Sequence, residues 1–112
     1  MVTNAQSQAL DRVFTALADP TRRAMLSHLV SEEATVGELA EPFAMSRPAI
    51  SKHLDVLERA GLVHRIPSGR VNRCQFDGKP LRDALALMER YRTHWEQQLG
   101  AIARYLEQGE EK

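Results

Sequence analysis

Residues 35–63, TVGELAEPFAMSRPAISKHLDVLERAGLV, constrain the fold more than any other stretch of the chain. They read as a short helix, a tight turn and a second, better-marked helix. In the second, Ser46 is placed to act as N-cap, since its hydroxyl can accept one of the unpaired N–H groups of the first turn. Pro48 falls inside that turn, where a missing N–H costs nothing. Gly61 falls just past the end, where a residue tolerant of positive φ closes a helix cheaply. Ile50, Leu54 and Leu57 recur at helical spacing and form one apolar stripe, while Arg47, Ser51, Lys52 and Asp55 share the opposite face. A core-facing helix has no need of Arg, Ser and Lys together at its N-terminal end. A helix that lays its N-terminus against DNA bases and phosphates does. The preceding helix, roughly 36–43, has Leu39, Ala40 and Phe43 on one side and is too short to be stable alone. It must pack on its successor across Ala44-Met45, which is a helix-turn-helix; the plainer alternative is an ordinary αα-hairpin.

The 112 residues are neutral overall, which argues against a generic nucleic-acid binder until the charges are placed along the chain. Up to Phe43 the balance is −3 and from Asp77 onward it is −1. Between Ala44 and Phe76 six basic residues (Arg47, Lys52, Arg59, Arg65, Arg70, Arg73) meet only Asp55 and Glu58, a balance of +4 in the block that holds the marked helix. A merely soluble surface would intersperse its signs.

Other function classes find little footing. The N-terminal MVTNAQSQAL has neither a basic start nor an apolar run, so no signal peptide is expected. No stretch approaches the roughly 20 apolar residues of a membrane span. The single cysteine, Cys74, precludes an internal disulfide, and a reduced, cytoplasmic setting is expected. Paired carboxylates with supporting groups, a Ser/His/Asp arrangement and a glycine-rich phosphate loop are all missing, which argues against an enzyme.

Around the central stretch the chain reads as follows. Residues 6–18 suggest a first helix with Leu10, Val13, Phe14 and Leu17 on one face. Asp19-Pro20 then caps and opens a second, running to about Val30. Arg22 and Arg23 sit near its start, where the helix dipole does not favour cations; they read either as a solvated face or as phosphate contacts. Ser31 to Ala34 reads as a polar connection. After Gly61, two short runs around Pro67-Ser68-Gly69 signal a β-hairpin. With Arg65, Arg70 and Arg73 upon it, directly after the marked helix, this is a wing; the alternative is an edge hairpin with arginines as anti-aggregation charges. Pro80 opens a last helix to about Gln108, roughly 40 Å long. Its apolar positions, Leu81, Leu85, Met88, Trp95, Leu99, Ile102 and Leu106, alternate by fours and threes, with Arg92 at the one polar seam position. So long a seam needs a partner helix, and a second copy of the chain is the simplest supply. The whole, 1–112, is expected to form one domain, with the recognition helix at about 46–60, the wing at about 62–76 and the dimerisation helix at about 80–108.

LADPTRRAMLSHL (17–29), VGELA (36–40), SRPAISKHLDVLERAGLV (46–63) and the Gly69-Arg70 of the wing, in that order, resemble the ArsR/SmtB family of bacterial winged-helix repressors. The Trp-containing last helix resembles the branch of the family that lacks the metal-sensing sites. The resemblance implies a mainly α fold of five helices, with a two-stranded β-hairpin wing between the fourth and fifth. It also implies a homodimer built from the first and last helices, and repression by occupying an inverted-repeat, double-stranded DNA operator. It carries DNA contact onto Ser46, Arg47, Pro48, Ser51 and Lys52 and wing contact onto Arg70; Arg73 is counted with them among the expected DNA-binding residues, and Arg70 and Arg73 together are expected to brace the wing. Arg47 is the leading candidate for a base or phosphate contact, because its guanidinium can pair bidentately. The expected dimer interface comprises Leu10, Phe14, Leu85, Met88, Trp95, Leu99, Ile102 and Leu106. His53 matches a common family residue and is expected to pack or to bond to a phosphate.

The chain departs from the metal-sensing members in two places. Residues 36–40 lack their paired cysteines, and the last helix has His94, Glu89 and Glu96 where zinc binders carry two Asp/His/Glu pairs; no metal or cofactor is expected. Cys74 stands where many relatives have an aromatic, and reads either as a buried structural thiol or as a redox switch made acidic by Arg65 or Arg73. Met88, Tyr91 and Trp95 could line a small-molecule effector pocket, though plain dimer core explains them as simply. A protein-interaction module built on the same fold is the alternative from another class, and the basic block argues against it.

Overall fold

The structure, a computed structural model, describes residues 4–110. The helices are α1 Asn4–Leu17, α2 Pro20–Ser31, α3 Val36–Ala40, α4 Arg47–Arg59 and α5 Lys79–Glu110; the strands are β1 Ala34–Thr35, β2 Val63–Ser68 and β3 Val71–Phe76. This is a mainly helical winged helix-turn-helix with a small antiparallel sheet. The chain divides into two units, Met1–Leu81 and Arg82–Lys112.

In the first unit the core is built where α1, α2, α3 and α4 turn their apolar stripes inward. Val13, Met25, Leu29, Leu39, Ile50, Leu54, Leu57, Leu62 and Val63 are all buried. Helix boundaries follow local chemistry. Asp19 accepts the Arg22 N–H at 3.0 Å and caps α2, with Pro20 at its first position. Ser46 Oγ accepts the Ala49 N–H at 3.3 Å and caps α4. At the other end of α4, Gly61 (φ 75°) donates to Glu58 O at 2.9 Å and Leu62 donates to Leu57 O at 3.0 Å, the paired bonds of a Schellman close. The short α3 is held by an unexpected capping box: Thr35 Oγ1 accepts from Glu38 N–H, and Glu38 Oε1 accepts from Thr35 N–H.

Three details differ from expectation. The segment read as one helix over 36–43 is α3 followed by a 3₁₀ turn over Glu41–Phe43, and Ala44 then takes a left-handed conformation (φ 52°) to redirect the chain into α4. The expected two-stranded wing is a three-stranded sheet in the order β1-β3-β2, because Ala34 and Thr35 of the supposed polar connection pair with Cys74 and Arg73. Two residues are too few to show an alternating pattern. The hairpin turn also lies later than Pro67-Ser68-Gly69: β2 runs through Pro67 to Ser68, and only Gly69 and Arg70 form the loop, Gly69 supplying the positive φ (64°). Proline is tolerated there because β2 is an outer strand.

The second unit is nearly all α5, 32 residues and about 48 Å at helical rise. Leu85, Met88, Trp95, Leu99, Ile102 and Leu106, together with Tyr91 and Tyr105, are exposed, each at least half accessible.

Candidate nucleic-acid interface

The interface is built on α4. Ile50, Leu54 and Leu57 are fully buried, which turns Arg47, Pro48 and Lys52 out to solvent, with Ser51 half-buried beside them. Ser46 is exposed but its hydroxyl is committed to the helix cap.

The arginines, alike in sequence, separate into two kinds. Arg65 on β2 reaches back to α4, donating to the carboxylates of Asp55 and Glu58 and, at 3.1 Å, to Ser51 Oγ. Burial works against its charge, and the two carboxylates outweigh that and hold its pKa above the ordinary arginine value. Arg65 thus joins wing to helix and orients Ser51. Arg73 pairs with Glu33 at 3.3 Å, and Gln75 donates to the same carboxylate at 2.7 Å. Arg73 therefore braces β3 against the segment before β1.

Neither Arg22 nor Arg23 is a free cation, although Arg23 stays exposed to solvent. Arg22 donates from Nε to Ala16 O and from Nη2 to Thr15 O, each at 2.9 Å, and Arg23 donates to Leu17 O at 2.7 Å. Both close the C-terminus of α1, whose last carbonyls lack helical partners and whose dipole favours cations. Arg22 Nη1 also lies 3.4 Å from Nδ1 of His53, and Asp19 lies 4.0 Å from the same nitrogen, so α4 is tied to the α1–α2 junction. His53 serves this junction. The Asp19 carboxyl sits below its ordinary pKa, first because it accepts the Arg22 backbone N–H.

Within α4 and the wing, among the described residues, this leaves Arg47, Lys52, Arg59 and Arg70 exposed and unpaired. Arg70 occupies the wing tip. Arg47 and Arg70 meet on a concavity of about 200 Å³ lined by Thr35, Val36, Gly37, Arg47, Arg70, Val71 and Asn72, where the first turn of α3, the start of α4 and the wing come together. Lys52 is not part of this lining, and Gly37 and Asn72 carried no signal in the sequence.

Cys74 is fully buried on β3, and burial raises its thiol pKa, with Arg65 acting in the opposite sense but more weakly. The acidic-thiol basis for a redox switch is thereby reversed. Among the described residues no group of three His, Cys, Asp or Glu side chains is placed to hold a metal ion, and no helix is long and apolar enough to cross a membrane.

Known proteins share this architecture. A helix-turn-helix domain family matches residues 17–66. The HTH-type transcriptional regulator Rv2034 of Mycobacterium tuberculosis is 42% identical over 74% of this chain and 78% of its own length. The transcriptional repressor SdpR of Bacillus subtilis is 34% identical over 70% of this chain and 88% of its own. Among solved structures, the ArsR family transcriptional regulator RHA00566 superposes with a TM-score of 0.76 at 38% identity, over 86% of this chain and 97% of that one. An ArsR-like transcriptional regulator from Rhodococcus sp. RHA1 gives 0.74 at 35%, over 88% and 92%. Relatives this similar over this much of the chain, on a shared winged helix, are regulators and not enzymes, and the chain belongs with them to the ArsR/SmtB family of winged helix-turn-helix DNA-binding transcriptional regulators.

Proposed function

We propose that the protein acts as a homodimeric repressor that recognises an inverted-repeat operator in the cytoplasm. The observation that carries the reading is the row Leu85, Met88, Trp95, Leu99, Ile102 and Leu106, exposed along one helix at the alternating three- and four-residue spacing of a helix–helix seam. A lone chain would leave that row in water. A second copy would cover it symmetrically, with Phe14, itself 40% exposed, and Leu10 of α1 contributing. A structural neighbour from Mycobacterium bovis, 25% identical, is described as a homodimeric winged helix-turn-helix domain, which supports the same arrangement. The name of SdpR supports repression.

In this reading each α4 enters a major groove, with Ser46, Arg47, Pro48, Ser51 and Lys52 at the DNA and Arg70 of the wing beside it, while Arg73 holds the wing through Glu33. Two-fold symmetry then requires inverted half-sites about one or two helical turns apart.

The test is a titration of the protein onto labelled DNA from immediately upstream of its gene, against a scrambled duplex, with mass measured by light scattering. Dimer mass, preference for the upstream duplex and steep weakening with salt are expected. Leu99→Glu should halve the mass and abolish tight binding. Wild-type monomers, or equal weak binding to upstream, scrambled and genomic fragments alike, would overturn the reading and favour an interaction module.

A further inference from the structure

The cleft between helix-turn-helix and wing holds a glycine whose presence the backbone does not explain. Gly37 lies in the first turn of α3, and the positive-φ glycines are Gly61 and Gly69. Alanine would suit such a helical position better. An alanine there would displace Arg47: a Cβ on Gly37 would stand 2.8 Å from Nη2, 3.2 Å from Cζ and 3.3 Å from Nε, so the flexible end of Arg47 would have to shift. Nε, Cζ and Nη2 of the guanidinium therefore lie over the face of Gly37 where a Cβ would stand. It does so at the rim of the 200 Å³ cleft that Arg70 and Asn72 line from the wing. No carboxylate is among the lining residues, so two unpaired cations share one small hollow.

We propose that this cleft seats a single DNA backbone phosphate, held by the guanidiniums of Arg47 and Arg70 with the Asn72 amide as a further donor, and that Gly37 is the positioning residue that keeps Arg47 in place for it. The inference rests on the DNA-binding reading of Arg47 and narrows it. A phosphodiester offers two charged oxygens, which planar guanidinium forks match in geometry as well as charge. Arg47 lies back over α3, on the wing side, which suits the sugar–phosphate backbone at the groove edge more than a base on its floor.

Gly37→Ala, Arg47→Ala, the double variant and Asn72→Ala are titrated by fluorescence anisotropy onto the upstream duplex and onto a random-sequence duplex, across about 50–200 mM salt. The only clash in Gly37→Ala is with the end of a flexible side chain, so its melting temperature should match or exceed wild type. Its affinity should fall about 3- to 10-fold on both duplexes alike, with the salt slope reduced by up to about two, one weakened phosphate contact in each subunit of the proposed dimer. Asn72→Ala should weaken both duplexes in parallel, and the double variant should bind no worse than Arg47→Ala. Wild-type affinity in Gly37→Ala while Arg47→Ala is impaired would refute the positioning role. Loss confined to the upstream duplex with an unchanged slope would refute the phosphate seat in favour of a base contact. Undiminished binding by Arg47→Ala to both would remove the DNA role of Arg47 itself.

Discussion

Arg65→Ala should loosen the wing from the recognition helix. Arg65 side-chain accessibility is 20%, and its fork engages Glu58 and Asp55, whose side chains are 35% and 48% accessible. A hydrogen bond to a charged group in a dry setting contributes about 1.5–3 kcal/mol, and an exposed ion pair about 0.2–1 kcal/mol. Two half-exposed carboxylates, one hydroxyl and the aliphatic stem together place the loss at about 1–2 kcal/mol, or roughly 4–10 °C in melting temperature for a domain of this size. Arg65→Lys keeps the charge but not the fork, and should recover less than half of that. The assay is a thermal melt by circular dichroism at fixed protein concentration, since a dimer's melting temperature depends on it. The decisive comparison adds Asp55→Asn and Glu58→Gln to Arg65→Ala. If the three act as one network, the added substitutions should cost much less in the Arg65→Ala background than in wild type. Arg65→Ala melting within about 1 °C of wild type, or strict additivity of the three, would refute the joining role.

Other outcomes follow from the same contacts. Arg22→Ala, which strips two carbonyl caps from α1 and the link to His53, should cost about 1–3 kcal/mol in a urea melt, while Arg23→Ala, an exposed single bond, should stay within about 0.5 kcal/mol. Cys74 should resist a thiol reagent in native protein at neutral pH and react fully once unfolded; native-state labelling at free-thiol rates would reinstate the switch. Asp19 and Glu38 titrate below their ordinary values because they cap helices, so the stability they lend is present above about pH 4–5 and drains as pH falls through their folded values. Asp19→Asn, which still caps but cannot titrate, should lose less melting temperature than wild type between pH 6 and pH 3.

What was legible in the sequence is what is settled within four or five residues. Asp19, Pro20, Ser46, Pro48 and Gly61 mark helix ends by bonds to near neighbours, and each does in the structure what its type suggests. The Thr35–Glu38 capping box is equally local, and its three-residue spacing was there to be read. The rest depends on distance along the chain. Arg22 reaches carbonyls six and seven residues back, Arg65 finds partners seven, ten and fourteen residues away, and Arg73 pairs across forty. No spacing rule distinguishes these from Arg47 or Arg70, which stand free. Gly37 was illegible for a related reason: its meaning lies in what rests on it, an arginine ten residues on.

That division of the arginines bears on how a neutral chain can bind DNA. Pairing within the fold withdraws Arg22, Arg65 and Arg73 and leaves Arg47, Lys52, Arg59 and Arg70 as the free cations of α4 and the wing. Counterion release then has a ceiling. Four cations per subunit, doubled in the proposed dimer, could neutralise at most about eight phosphates, which at about 0.9 per contact caps the slope of log affinity against log salt near −7. Arg59 lies in the last turn of α4, away from the helix's leading end, and Arg47 and Arg70 share one phosphate in the proposed seat, so about two phosphates per subunit and a slope of about −4 are expected. A slope much steeper than −7 would mean that cations beyond these four reach the DNA; were they Arg65 or Arg73, released from their carboxylates, the wing would have to move when it binds. A slope near −4 means the structural arginines keep their carboxylates and the wing meets the duplex already formed.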